Sequence, residues 1–286
     1  MRVLLIGASG QLGQDLLTNN PGDEIVAPSR NELDLARPDQ ISRITREVQP
    51  DFVINCAAFH NVPSCEQQAA EAFLINCIGL RDLSLACAEQ SAWLITFSSD
   101  YVFNGDKDTP YVETDVPCPL QVYGITRLAG EYAAQASSPL RTVIVRTCGL
   151  YGRAFSRSKG GNFVDARVSD ARQNKRIEIS CEQVVTPTST EDLSRAVHAL
   201  IRHPELAPGI YHLVNDGYCS WYEFTRAIVD ILDIRVEVAP VDRGGRDPRG
   251  FRRPLFSALK NARASAMGIT LPPWEVALRN YLSRYL

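Results

Sequence analysis

Met1-Arg2-Val3-Leu4-Leu5-Ile6-Gly7-Ala8-Ser9-Gly10-Gln11-Leu12-Gly13 opens the chain. Four consecutive apolar residues, Val3 to Ile6, stop at a glycine and read as a strand buried on both faces; Leu12, Leu16 and Leu17 then mark a helix. Between them lies a GxxGxxG pattern. Its glycines, Gly7, Gly10 and Gly13, allow a tight turn and let the backbone, with Ser9, approach a pyrophosphate. The amides of Gln11, Leu12 and Gly13 add donors at the positive end of the helix dipole. The stretch predicts a dinucleotide-binding turn.

Working outward, short apolar strands keep alternating with helical patterns. Strands are expected at residues 24–27, 51–55, 93–97 and 141–146, and helices at 39–48, 66–89 and 121–136. Strands that are apolar throughout, separated by helices, imply a parallel sheet covered on both faces, with ligands beyond the carboxyl ends of the strands. Past Tyr151 the rhythm loosens. Loops rich in Gly, Pro and Arg appear at residues 156–162 and 242–254, between helical stretches at 191–203 and 221–232. The fold expected is α/β, a Rossmann-type doubly wound parallel sheet (1–150, binding NAD(P)) with a smaller C-terminal substrate lobe (151–286), some of whose segments return to the main sheet.

Composition narrows the partners. The 286 residues are 45% apolar and 22% charged, enough for a sizeable core. A formal net charge of −3 gives no reason to expect nucleic acid, and no apolar run approaches the length of a membrane span. The N-terminal apolar run is too short for a signal peptide, so a cytoplasmic protein is expected. The eight cysteines are scattered, without CxxC or His-Cys metal spacing, and read as reduced thiols packed as small apolar residues. No metal is expected.

The second strand ends at Pro28-Ser29-Arg30, where an acidic residue would suit the ribose of NAD and arginine suits the 2′-phosphate of NADP. NADP(H) is therefore favoured, with NAD(H) the other option. Asp34 and Leu35 follow at a spacing suited to the adenine. Cys56, Ala57 and Ala58 end a strand with small residues that let a cofactor lie close, and Asn76 and Ser98 are grouped with them. Ser99, Asp100, Tyr101 and Phe103 close the fourth strand on the substrate side. Tyr123 and Arg127 stand four apart on a helix, on one face. A cation beside a phenol lowers its pKa, and a serine hydroxyl can bind a carbonyl as it gains charge. Ser99, Tyr123 and Arg127 are the expected catalytic group. His60 follows the 55–58 strand end as a further candidate to face a ligand.

These residues carry a resemblance. Together with Pro110 to Asp115, Pro119 to Gly124, Leu128 to Glu131, Arg146-Thr147, Pro187-Thr188, Ile210 to Leu213, Trp221 and Arg253-Pro254, they resemble the dTDP-4-dehydrorhamnose reductase family of extended short-chain dehydrogenases, nearly end to end. The resemblance implies NAD(P)H-dependent reduction of the 4-keto group of a nucleotide-linked 6-deoxysugar. It makes Tyr123 the proton donor, Ser99 the carbonyl-polarising hydroxyl, and position 127 the holder of the nicotinamide ribose. It also implies a small nucleotide-sugar partner and a monomer or homodimer.

Three positions depart from the family pattern. The lysine position is Arg127, an aromatic residue beside the sugar is replaced by Gly149, and Phe256 follows Arg253-Pro254-Leu255 where an amide is usual. Gly149 and Arg253 are counted with the substrate residues. The departures leave a second reading open: a catalytically impaired NAD(P)-binding regulatory or structural protein, as in the regulatory subunit of methionine adenosyltransferase. A sugar-nucleotide epimerase or dehydratase of the same broad fold is the third.

Overall fold

Backbone amides of a buried strand must find partners within the protein, and in this chain they find them in one parallel sheet. The computed structural model describes residues 1–154, 161–247 and 249–286; most of the 156–162 loop therefore lies outside the described residues. The first half runs β1 (Arg2–Ile6), α1 (Gln11–Thr18), β2 (Glu24–Val26), α2 (Pro38–Val48), β3 (Phe52–Asn55), α3 (Val62–Gln67), α4 (Ala69–Phe73), a π-helical stretch (Leu74–Gly79), α5 (Leu80–Glu89), β4 (Trp93–Ser99), a 3-10 turn (Asp100–Val102), α6 (Val122–Ser137) and β5 (Thr142–Thr147). The second half adds β6 (Leu150–Tyr151), α7 (Phe163–Gln173), β7 (Arg176–Ser180), β8 (Val184–Val185), β9 (Thr188–Ser189), α8 (Thr190–Leu200), β10 (Gly209–His212), β11 (Cys219–Ser220), α9 (Trp221–Ile231), β12 (Glu237–Val241), α10 (Ala262–Ala266) and α11 (Trp274–Leu282).

The main sheet has the order β10-β5-β4-β3-β1-β2, and every pairing in it is parallel. The order in which successive strands are added reverses between β1 and β3, which makes their carboxyl ends the natural ligand crevice. Alternation along the strands builds a core on each face. Val3, Leu5, Ile95 and Val145 pack with Leu16, Val197 and Leu200, whereas Leu4, Ile6, Val53 and Leu94 pack with Ile41, Leu83 and Cys87. A third cluster, Tyr151, Val164, Phe224, Trp274 and Leu278, belongs to the second half.

One expectation needs correction. The stretch read as a continuous helix over 66–89 breaks at Gln68 (φ −126°, ψ 51°) and widens into the π-helical turn at Leu74–Gly79. The widened turn brings the Asn76 backbone against α6, where a Cβ at Gly130 would come 3.2 Å from the Asn76 carbonyl carbon. Only a glycine lets the two helices meet there.

Candidate active site

The carboxyl ends of β1, β3, β4 and β5 meet at one edge of the sheet. At β1, Gly7 has φ +81°, and a Cβ on it would stand 2.8 Å from the Ala57 nitrogen; a Cβ on Gly13 would stand 2.6 Å from the Ala8 Cα. The fold itself requires these two glycines. Gly10 is different: its φ is −81°, and a Cβ there meets nothing closer than the Gly7 oxygen at 3.4 Å. The protein leaves that side open. Helix α1 also starts without a side-chain cap or an acidic residue in its first turn, and the buried Gln11 Nε2 has no partner. A diphosphate supplies what these groups lack, so the residues fit a dinucleotide.

Arg30 is largely exposed, and its Nε donates to Asp34 Oδ2 at 3.1 Å. Burial acts to raise the Asp34 carboxyl, but the Ala36 amide and the Arg30 guanidinium prevail and hold it below its usual range. The Leu35 side chain packs in the core beside Ile41, which leaves its backbone to face the adenine. Cys56, Ala57 and Ala58 are half-buried along the floor after β3. Asn76, grouped with the cofactor residues, has a different task. Its Oδ1 accepts from the Phe59 amide (2.8 Å) and Arg127 Nη1 (3.5 Å), and its Nδ2 donates to the Phe59 carbonyl (2.9 Å) and Thr126 Oγ1 (3.0 Å). With every bonding direction used internally, Asn76 ties the β3 loop to α6 and has none left for a ligand.

Tyr123 is the second residue of α6, and Arg127 lies one turn on. Burial pushes the Tyr123 phenol up, while the Arg127 charge and the Ser99 hydroxyl act against that rise. Arg127 is 6% exposed, forms no ion pair among the described residues, and leaves its Nε without a partner. Burying a cation without a counter-charge is costly, so this guanidinium stands ready for ligand oxygens. Ser99 ends β4 in register with Thr147 on β5, whose buried Oγ1 is also unpartnered.

The Ser99 hydroxyl donates to Asp100 Oδ1 (2.9 Å) and accepts from the Tyr101 amide (3.2 Å); Ser257 donates to the other Asp100 oxygen (2.6 Å). Burial drives the Asp100 carboxyl upward, with the Ser257, Cys148 and Ser99 side chains opposing it. Asp100 was expected to meet substrate. With both oxygens bonded and the residue buried, it orients Ser99 instead.

On the other side of Tyr123, the Tyr101 ring stands edge-on at 6.0 Å, and its hydroxyl accepts from Arg253 Nη1 at 2.8 Å. Burial raises the Tyr101 phenol to about 12. Arg253 is held by Asp247 at 2.9 Å, which also takes Arg249 at 2.8 Å. Two expected contact residues turn their side chains to the interior of the protein. Phe103 is fully enclosed and stacked on Tyr111 at 4.1 Å. The Ser98 hydroxyl is donated to Glu131, which is paired with Arg146 at 2.6 Å in the core. Gly149 has φ +57°, and a Cβ on it would come 3.3 Å from Trp221 Cη2, so the indole already fills the space beside it. Phe256 packs against Tyr218 at 5.5 Å. His60 Nδ1 lies 3.3 Å from the Ala58 carbonyl.

Sequence reading missed Asp247 and Ser257 as parts of this site. Asp247 was one of two acids, with Asp242, in the arginine-rich 242–254 loop, and nothing local linked Ser257 to Asp100. Among the described residues no group of His, Cys, Asp and Glu could hold a metal, and no helix is long and apolar enough to cross a membrane. All eight cysteines are free.

A dinucleotide turn at a sheet crossover, joined to a serine at the end of β4 and a Tyr-Arg pair at the start of α6, defines an extended short-chain dehydrogenase/reductase. The chain belongs to the family described as RmlD substrate binding domain, whose model matches residues 1–286. It is 35% identical to the spore coat polysaccharide biosynthesis protein SpsK of Bacillus subtilis, over 98% of this chain and 96% of that one. It is 33% identical to the dTDP-4-keto-6-deoxy-D-glucose reductase of Streptomyces niveus, over 97% and 95%. Among solved structures, dTDP-4-dehydrorhamnose reductase from Bacillus anthracis in complex with NADP is similar at a TM-score of 0.91 and 32% identity, covering 99% of both chains.

Proposed function

We propose that this protein is an NADPH-dependent reductase of the 4-keto group of a dTDP-linked 6-deoxysugar, with Ser99, Tyr123 and Arg127 as its catalytic group. The observation that carries the reading is the buried, uncompensated Arg127 one turn from Tyr123, beside an open dinucleotide turn. Full-length relatives named as reductases of such sugars support the substrate class, and the NADP-bound relative supports the cofactor.

The turn from Gly7 to Gly13 would hold the pyrophosphate, and Arg30, whose Nε is on Asp34, would offer its remaining N–H groups to the 2′-phosphate. The chemistry such a cofactor supplies when bound is hydride for the carbonyl carbon. Tyr123 gives its phenolic proton to the carbonyl oxygen as that carbon is reduced. Ser99, whose one hydroxyl proton rests on Asp100 Oδ1 in the ligand-free protein, turns it to the same oxygen, and Asp100, held by Ser257, sets the position from which it turns. Arg127 donates to ribose hydroxyls and favours the phenolate that Tyr123 becomes. Its planar fork differs from an ammonium but keeps the charge at the position that matters. Tyr101 and Arg253 bound the sugar side. The non-catalytic reading is not favoured, because Arg127 retains burial, charge and reach.

On this reading the enzyme works in the cytoplasm, as a monomer or homodimer, with residues 1–150 serving the cofactor and 151–286 the substrate. The test is NADPH and NADH oxidation with a dTDP-4-keto-6-deoxysugar, alongside direct cofactor titration. Tyr123→Phe is expected to cut kcat by about 10²–10⁴-fold with NADPH affinity kept. Tight NADPH binding without oxidation, in wild type and Arg127→Lys alike, sinks the reductase.

A further inference from the structure

The first turn of α6 holds a buried group that the reaction as described does not use. Gln121 is 3% exposed, and neither Oε1 nor Nε2 has a partner. Among the described residues it is the only side chain with two orphaned polar atoms. It occupies the N-cap position of α6 in extended backbone (φ −145°, ψ 163°) yet makes no side-chain cap. The amide of the first helical residue, Val122, is bonded by Glu66 Oε1 at 2.7 Å.

The side chain folds against Gly124, where a Cβ would stand 2.7 Å from Gln121 Oε1 and 2.9 Å from Pro119 Cβ. The same Cβ would collide with the Tyr101 carbonyl. The amide thus sits in the seam between the turn carrying Tyr101 and the helix start carrying Tyr123, a space that exists because position 124 is glycine. The seam is bounded by Tyr101, whose ring stands 6.0 Å from that of Tyr123 and whose hydroxyl accepts from Arg253.

We infer that Gln121 is a specificity-determining residue whose amide hydrogen-bonds the hydroxyl next to the sugar carbon being reduced. A hydroxyl both donates and accepts, so one amide can satisfy it in either direction while losing its own orphan status. Orphaned polar atoms in the free protein destabilise it, a cost that a bound sugar removes. The inference rests on the 4-ketosugar reading and extends it to the neighbouring position of the ring.

The experiment compares NADPH oxidation by wild type, Gln121→Met and Gln121→Asn with dTDP-4-keto-6-deoxyglucose and its 3-deoxy analogue. NADPH Kd and the Tm of the ligand-free proteins are measured beside it. A site built to bond a hydroxyl rejects the analogue lacking it, so wild type prefers the parent sugar in kcat/KM by about 100-fold or more. Gln121→Met is expected to bring the preference below about 10-fold, with NADPH Kd unchanged and Tm raised. Gln121→Asn, a better cap but too short to reach, folds well and loses the preference too. Retention of the wild-type preference in both variants overturns the assignment, as does an equal loss on both sugars with a lowered Tm. Wild type that binds NADPH and reduces neither sugar removes the reductase reading, and this inference with it.

Discussion

Gly10→Ala separates what the cofactor needs from what the fold needs. The added methyl meets only the Gly7 oxygen, at 3.4 Å, and the backbone at φ −81° accepts alanine. The folded protein loses only the difference between glycine and alanine as helix caps, less than about 1 kcal/mol, or no more than a few degrees in Tm. A pyrophosphate lying against the turn must move away from that methyl and from the α1 amides. If it is overpacked as a core methyl is, the cost is about 1–3 kcal/mol, roughly 5- to 150-fold in NADPH Kd. Gly13→Ala behaves in the opposite way: its methyl enters the space of Ala8, 2.6 Å from the Cα, and the protein itself loses stability. The assay is a fluorescence titration with NADPH plus thermal unfolding without ligand. Gly10→Ala with wild-type Kd and wild-type Tm refutes the argument, because the cofactor then does not cross the open side of the turn.

Arg30→Ala is expected to weaken NADPH about 10-fold or more while leaving NADH nearly unchanged, measured by the same titration; equal losses for both cofactors would remove Arg30 from the 2′-phosphate. Glu131→Gln strands the Arg146 guanidinium, which is 1% exposed, and should cost about 3–5 kcal/mol in urea unfolding. A change below about 1 kcal/mol would mean that Arg146 finds another partner. His212 is fully buried beside Arg146, and burial, followed by that charge, lowers its pKa from 6.5 to about 3. The unfolded chain therefore binds a proton below pH 6.5 that the folded chain refuses until about pH 3, and stability falls as pH drops through that window. Between pH 7 and 5 the His212 share is about 2 kcal/mol, read as a smaller acid loss in His212→Gln than in wild type.

Much of the fold was legible because strand and helix write different periods into the chain. The apolar runs at Val3–Ile6 and Val143–Val145 had to be inner strands, since no other arrangement hides their backbone and both faces at once. The glycine turn was legible for a similar reason: Gly7 and Gly13 stand where only glycine fits, and that requirement is local. Tyr123 and Arg127 were legible as a pair by helical spacing taken together with their place after the fourth strand and the glycine turn.

The break inside residues 66–89 was not legible, because the π-helical turn answers to the approach of α6 at Gly130, fifty residues away in sequence. Nor were the partners of the site residues. Ser99 and Asp100 were read as substrate contacts from their place at a strand end, but Ser257 reaches Asp100 across 157 residues and turns that carboxyl inward. Phe103 looked like its neighbours in sequence and is enclosed by Tyr111. What the sequence determined by itself is the class: parallel strands, the cofactor turn and the catalytic types, all set by steric rules acting over a few residues. Only the tertiary structure decided which polar atoms are spent inside the protein and which, like Arg127 Nε and the Gln121 amide, are left for a ligand. Hydrogen-bond satisfaction is settled between residues far apart in the chain, and no local pattern records it.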